Sequence, residues 1–128
     1  MKGVIKLLED PDDPILEGAK FDFALMHLTL HHVPDMLPLV KTLKGTLKPG
    51  GQLLLSDFEN TGEAAKRFHP ESKWYDVERH GIKRSEMEEI LTGAGLQNIT
   101  VEESFSLPKT VETGEKQDFP FILGIGSN

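Results

Sequence analysis

Hydrophobic and polar residues form a strand–helix–strand pattern between positions 21 and 58. Two short apolar runs, 21–26 and 52–58, flank a segment in which apolar residues recur at helical spacing. The apolar residues of this middle segment are Met36, Leu37, Leu39, Val40, Leu43 and Leu47. Because Pro34 and Asp35 precede it, a helix is predicted to begin at Met36, with Asp35 as N-cap, and to end near Leu47. The whole stretch predicts a β-α-β crossover with two buried parallel strands.

Turn-forming residues divide the remainder into shorter elements. Pro49 and Gly50 are typical of a type II turn leading into the second strand. Ser85 and Glu88 have the spacing of a capping box, which predicts a helix that ends at the glycines of 93–95.

Several weaker patterns complete the prediction. A short strand is predicted at 3–8 and a short helix at 61–68, where a His-Pro pair ends it. Two more strands are predicted at 96–105 and 119–125, with a polar loop over 108–118 between them.

The motifs between positions 21 and 57 resemble a known family. An FD-apolar strand, then LHHVPD, a helix, LKPGG and an apolar strand ending in Asp57 resemble, in order and spacing, the carboxyl-terminal half of a class I S-adenosylmethionine-dependent methyltransferase. The resemblance implies an α/β fold with a Rossmann-like sheet, mostly parallel, that ends in an antiparallel hairpin. In that family the last strand lies beside the strand that follows the crossover helix. The family's glycine-rich cofactor loop is not found in the 20 residues before Phe21, so residues 1–128 are predicted to form a single, partial methyltransferase-like domain.

The resemblance also implies a cofactor and a reaction, namely methyl transfer from S-adenosylmethionine to a small-molecule nucleophile. His31 and Asp57 follow two neighbouring strands, and open α/β sheets bind ligands at the carboxyl ends of their strands. They are the candidate catalytic residues, where an aspartate orients a substrate or accepts a proton. Methyl transfer needs a base only when the nucleophile must lose a proton.

Five further residues are candidates for cofactor binding by resemblance. Met26, His27 and His32 belong to the segment that lines the methionine end of the cofactor in the family. Glu9 or Asp10 would hold the position that contacts the adenine amino group, although a solvated acidic loop explains them equally well. Packing is the alternative role for the histidines.

Composition excludes several classes of function. The chain has 14 Lys and Arg against 21 Asp and Glu, a net charge of −7, which argues against binding to a nucleic-acid backbone. No metal site is predicted, because the chain has no cysteine and no glutamate accompanies its histidines in a zinc-protease pattern. No membrane span and no signal peptide are predicted, and the lack of cysteine is compatible with the cytoplasm.

The strand at 21–26 has one charged residue and no proline, so nothing guards it against edge pairing. If its outer neighbour is missing, we expect a second copy of the chain, a complementing chain or the 3–8 segment to pair with it. The enzyme hypothesis therefore competes with two others: a non-catalytic methyltransferase-like binding or partner domain, and a structural fragment.

Overall fold

The structure is a computed structural model that describes residue 3 and residues 6–128. Its two α-helices and four strands are α1 (Met36–Gly45), α2 (Arg84–Gly93), β1 (Phe21–His27), β2 (Leu47–Phe58), β3 (Gln97–Thr110) and β4 (Lys116–Ser127). Short 3-10 turns at Pro14–Leu16, Leu30–His32, Glu63–Phe68 and Glu71–Asp76 connect them.

The four strands form one sheet in the order β1-β2-β4-β3. The β1–β2 pair is parallel, as a crossover requires, and β4 pairs antiparallel with both of its neighbours. The insertion of the last strand beside the strand that follows the crossover helix is therefore confirmed. Within this sheet one strand pair is parallel and two are antiparallel.

The prediction that both crossover strands are buried is wrong for β1. Phe23 and Leu25 are 65% and 68% exposed, because among the described strands only β2 pairs with β1. Two residues of the predicted 3–8 strand, Val4 and Ile5, lie outside the described residues, and residues 6–8 form no strand. Strand β1 is thus an edge strand in the described part of the chain.

The crossover helix is shorter than predicted. It ends at Gly45 rather than near Leu47, because Leu47 already pairs with Phe21 as the first residue of β2. Asp35 occupies the N-cap position, but its side chain makes no capping hydrogen bond. The predicted turn becomes an excursion within β2, where Gly50 has the positive φ (80°) that the turn required.

The second helix begins one residue before the predicted cap. Lys83 is the N-cap of α2, and its backbone N–H donates to the Glu86 carboxylate at 3.1 Å. Ser85 lies inside the helix, so the Ser85–Glu88 capping box is wrong. The first turn instead has a carboxylate near the positive end of the helix dipole.

The hairpin of β3 and β4 is longer than predicted. Both strands extend into the expected 108–118 loop, which shrinks to the turn between Thr110 and Lys116. Pro108 lies within β3 opposite Asp118. A proline is tolerated there because β3 is an edge strand and needs no outward N–H donor.

Both helices pack on the same face of the sheet. Leu53 and Leu55 of β2 and Ile122 of β4 are fully buried and cluster with Val40 of α1 and Leu91 of α2. A second, smaller apolar cluster lies where the sheet meets the segment after β2, and its buried members are Phe58, Ala65, Phe68, Val111, Phe119 and Phe121.

Candidate active site

His31 and Asp57 meet in the interior at the carboxyl ends of β1 and β2. The Nδ1 of His31 lies 3.0 Å from each carboxylate oxygen of Asp57, and the two side chains are 2% and 0% exposed. The backbone N–H groups of His31 and Phe58 also donate to this carboxylate, at 3.1 and 2.9 Å. Three N–H donors therefore compensate the buried negative charge, which is the condition for keeping a charge inside a protein.

The proton on the His31 ring is assigned by its partner. A carboxylate only accepts hydrogen bonds, so Nδ1 carries the hydrogen and the Nε2 of the neutral ring has a lone pair. This Nε2 is buried and has no hydrogen-bond partner among the described residues. A buried polar atom without a partner is costly unless a ligand or a water satisfies it.

Arg79 fixes the loop that holds His31. Its guanidinium donates to the carbonyl oxygens of Leu30 (3.0 Å), Val33 and Pro34 (3.1 Å). The backbone N–H of Arg79 donates to the His31 carbonyl at 3.2 Å. Arg79 was not among the residues that the sequence indicated. The His80-Gly81 pair beside it is the only local signal, and it does not reveal that the side chain turns back to the loop.

Three aromatic rings surround His31. The His31 ring centroid lies 4.1 Å from that of His32, 5.1 Å from Phe58 and 5.2 Å from His69. Phe68 stacks on Phe58 with centroids 4.1 Å apart. The site is thus a buried pair, His31 and Asp57, beside imidazole and phenyl rings.

The environment of His69 favours its neutral form. Burial, followed by the nearby His31 and Lys109, lowers the pKa of His69 from 6.5 to about 4. Burial also lowers the pKa of His80 and that of Lys109. Lys109 extends over the Phe68 ring, 4.1 Å from its centroid, and donates to the Phe68 carbonyl. At neutral pH His69 therefore has one N–H donor and one acceptor nitrogen.

The two acidic candidates near the amino terminus are in different positions. Glu9 lines a groove of about 280 Å³ between the amino-terminal segment and α1, together with Leu7, Leu8, Asp35, Pro38, Leu39 and Thr42. Asp10 does not line this groove. Its carboxylate accepts a hydrogen bond from the backbone N–H of Asp12 at 2.9 Å, which stabilises a turn.

The remaining candidates are dispersed around β1. The half-buried Met26 packs against the core under the helices. His27 lies on the opposite face, where its Nδ1 is 3.0 Å from the Ser56 hydroxyl. His32 is exposed, and its Nδ1 donates to the Asp76 carbonyl at 2.9 Å. The structure brings His31, His32 and Asp57 together and leaves Met26 and His27 apart from them.

Over residue 3 and residues 6–128, no three His, Asp or Glu side chains are placed to hold a metal ion. Within the same part of the chain, no helix has the length and apolarity needed to cross a membrane.

Comparison with known proteins decides the family. A family model described as a methyltransferase domain matches residues 3–101, well over half of the chain. The chain belongs to the methyltransferase domain family. The resemblance found in the sequence is thereby confirmed, and S-adenosylmethionine is the cofactor of the family. No curated protein matches this methyltransferase domain.

Solved structures agree on the fold of the domain. It is similar to a SAM-dependent methyltransferase of Thermotoga maritima described as a possible histamine N-methyltransferase, with a TM-score of 0.59, 19% identity and coverage of 85% of this chain and 58% of that one. A SAM-dependent methyltransferase of Methanosarcina mazei gives 0.58 and 22% identity, with 86% and 60% coverage.

A third similar structure contains the cofactor. Phosphoethanolamine N-methyltransferase 2 of Haemonchus contortus, in complex with S-adenosyl-L-methionine, gives a TM-score of 0.58 and 14% identity, with coverage of 84% of this chain and 33% of that one. The domain therefore spans no more than about 60% of the length of these three structures. The likeness confirms the α/β methyltransferase fold.

Proposed function

We propose that this domain takes part in methyl transfer from S-adenosylmethionine to a small-molecule acceptor, with His31 as general base and Asp57 as the residue that orients it. The observation that carries the proposal is the buried His31–Asp57 pair, with Nδ1 bound to the carboxylate and Nε2 without a partner. An aspartate that fixes the tautomer of a histidine and stabilises its protonated form is a recurrent acid–base arrangement.

The chemistry requires little else from the protein. S-adenosylmethionine, when bound, supplies a methyl group on a sulfonium. The lone pair of His31 Nε2 would take the proton that the attacking hydroxyl or amine must lose. Asp57 would stabilise the resulting imidazolium, because its carboxylate already receives the Nδ1 hydrogen. Alignment of the reacting atoms supplies most of the remaining acceleration.

The groove beside Glu9 suits the adenine end of the cofactor. Its walls include Leu7, Leu8 and Leu39, which offer apolar contact to a flat ring, and carboxylates accept hydrogen bonds from an exocyclic amine. Asp10, Met26, His27 and His32 stay predictions for cofactor contact. Because the glycine-rich loop is not in this sequence, we expect these 128 residues alone to bind S-adenosylhomocysteine more weakly than micromolar.

Two substitutions of one residue test the base. His31→Asn keeps a donor near the Nδ1 position but has no nitrogen at Nε2, whereas the amide of His31→Gln reaches the Nε2 position but is not a base, so both variants lack the proposed base. In protein that is active in methyl transfer, we expect Asn to reduce turnover by about 10²-fold or more while the fold is retained. Equal turnover in the Asn variant and the wild type would assign His31 to packing.

A second candidate function is that of a partner domain. The exposed edge of β1, with Phe23 and Leu25 uncovered, favours addition of a strand from a second copy or from a complementing chain. In this case the domain supplies the substrate side of a site that another chain completes. The names of two similar structures contain histamine and phosphoethanolamine, which are small molecules, and this is compatible with a small-molecule acceptor.

A cytoplasmic location is part of the proposal and rests on the sequence alone, since a chain without cysteine is compatible with a reducing compartment. Cell fractionation tests it directly.

A further inference from the structure

His69 also lines a cavity. It has a volume of about 200 Å³ and is lined by Arg67, His69, Trp74, Val111, Glu112 and Thr113. A second cavity of about 370 Å³ shares Arg67 and Trp74 with it. These residues come from two 3-10 turns and a hairpin, segments that have no periodic pattern in the sequence.

Of the charged residues at and near the cavity, Glu112 and Lys66 have hydrogen-bond or ion-pair partners and Arg67 does not. Glu112 accepts a hydrogen bond from the backbone N–H of Glu71 at 3.1 Å, and Lys66 pairs with Glu63 at 3.0 Å. Arg67 is exposed, and its guanidinium has no ion pair or hydrogen bond within the part of the chain that the structure describes. The unpaired Arg67 guanidinium attracts an anion to the cavity, against the negative charge of Glu112 and the net charge of −7.

The indole of Trp74 is held in place, and His69 has a polar atom without a partner. Trp74 Nε1 donates to the carbonyls of Lys66 (3.1 Å) and His69 (3.0 Å), so the indole is held in place. The Nδ1 of His69 is buried without a partner, a group that a ligand or a water can satisfy. The His69 ring also contacts His31, which connects the cavity to the proposed base.

We propose that this cavity is the acceptor subsite and that it takes a single-ring molecule carrying a carboxylate or phosphate. Arg67 binds the anionic group, Trp74 provides the apolar wall, and the unpartnered Nδ1 of His69, whose ring contacts His31, binds the hydroxyl or amine. A single ring is proposed because the cavity of about 200 Å³ is smaller than the roughly 300–1,000 Å³ of sites for drug-sized ligands. The assignment rests on the proposed function, because an acceptor is needed only if the domain takes part in methyl transfer.

Trp74 is the only tryptophan of the chain, so its fluorescence reports on the cavity directly. The probes are 4-hydroxybenzoate and its neutral analogue 4-hydroxybenzamide, titrated into the protein without cofactor. We expect saturable fluorescence change with the benzoate, and binding at least tenfold weaker with the benzamide. Equal binding of the two probes, or no saturable change with either, would overturn the proposal.

Substitutions of two cationic residues, Arg67 and Lys73, distinguish a specific contact with the ligand from a general effect of charge. Arg67→Met should weaken 4-hydroxybenzoate at least tenfold and leave the benzamide unchanged, and Arg67→Lys should be intermediate because a lysine lacks the planar fork. Lys73→Met removes an exposed charge that does not line the cavity, and it should bind both probes like the wild type. Similar losses in the Arg67 and Lys73 variants would contradict the assignment. The titration measures binding alone, so its failure leaves the test of His31 turnover unaffected.

Discussion

The Nδ1 of His31 lies 3.0 Å from both carboxylate oxygens of Asp57, and almost no water reaches either side chain. The contact joins the turn after β1 to the end of β2. Because the backbone N–H of His31 also binds Asp57, the carboxylate positions both the main chain and the ring of one residue. The pair therefore contributes to the fold as well as to the proposed chemistry.

Loss of either partner should destabilise the protein markedly. We expect Asp57→Ala to reduce the free energy of unfolding by about 3–5 kcal/mol, since it removes one half of a buried pair and leaves N–H donors unsatisfied. His27→Ala is the control, because His27 also bonds to a side chain on β2 but is exposed, and it should cost about 1 kcal/mol or less. Urea denaturation measures both values, and similar losses would show that burial of the pair is unimportant.

The sequence was sufficient to place His31 after β1 and Asp57 at the carboxyl end of the neighbouring strand β2. Their positions follow from strand periodicity and from the parallel direction that a crossover imposes. Their burial could not be predicted, because the covering rings of Phe68 and His69 come from a 3-10 turn without an apolar repeat. The long-range contacts of Arg79 could not be predicted either, because a single arginine in a loop belongs to no periodic pattern.

Local motifs were less reliable than long-range patterning. The spacing of Ser85 and Glu88 satisfies a capping box, but the chain enters α2 at Lys83, where Ile82 is already fixed beside the end of β2 by a hydrogen bond to the Phe58 carbonyl. Pro108 indicated a loop because a proline usually ends a strand, yet an edge strand tolerates it. In both places tertiary contacts outweighed a local preference.

Protonation of His69 should destabilise the protein in acid. The folded-state pKa of about 4 lies below the ordinary 6.5, so the unfolded chain takes up the proton at higher pH than the folded chain. Its contribution to stability is present above pH 6.5 and is lost as the pH falls toward 4. We expect a loss of about 1–2 kcal/mol, reduced from the full shift because the ring is partly exposed.

A comparison with His69→Phe isolates this effect. The variant lacks the titrating ring, so its free energy of unfolding should fall less between pH 7 and pH 4.5 than that of the wild type. Urea denaturation at the two pH values gives both differences. An identical decrease in the two proteins would show that other groups account for the acid sensitivity.

Gly81 should resist substitution more strongly than another glycine with the same backbone conformation. Gly81 and Gly114 have φ values of 85° and 89°. A Cβ on Gly81 would lie 2.8 Å from the Asn60 nitrogen and 2.9 Å from the Phe58 oxygen, whereas a Cβ on Gly114 meets nothing within 4 Å. We expect Gly114→Ala to cost about 1 kcal/mol for the left-handed backbone, and Gly81→Ala about 3 kcal/mol because backbone atoms must also move. Thermal unfolding of both variants checks the difference, and equal costs would exclude the steric contribution.

The last prediction concerns the free edge of β1. The Leu28 N–H donates to the Ser56 carbonyl on β2, so by alternation the N–H groups of Phe23 and Leu25 point away from β2. If two copies pair antiparallel about Ala24, the backbone groups of Phe23 in one copy hydrogen-bond to those of Leu25 in the other. In this register no two like charges face each other. We therefore expect the purified 128-residue chain to self-associate, with protection from amide exchange at Phe23 and Leu25.

Two lysine substitutions test the location of this contact. Leu25→Lys places a charge on the free edge strand and should shift the chain to monomer in sedimentation measurements, because a charged residue on an edge opposes strand pairing. Tyr75→Lys changes an even more exposed side chain, 80% against 68%, that is not on the sheet, and it should associate like the wild type. Association that both variants reduce equally would indicate general hydrophobic contact. A wild-type chain that stays monomeric at high concentration would show that the edge is covered within the chain itself, and the partner-domain hypothesis would lose its structural support.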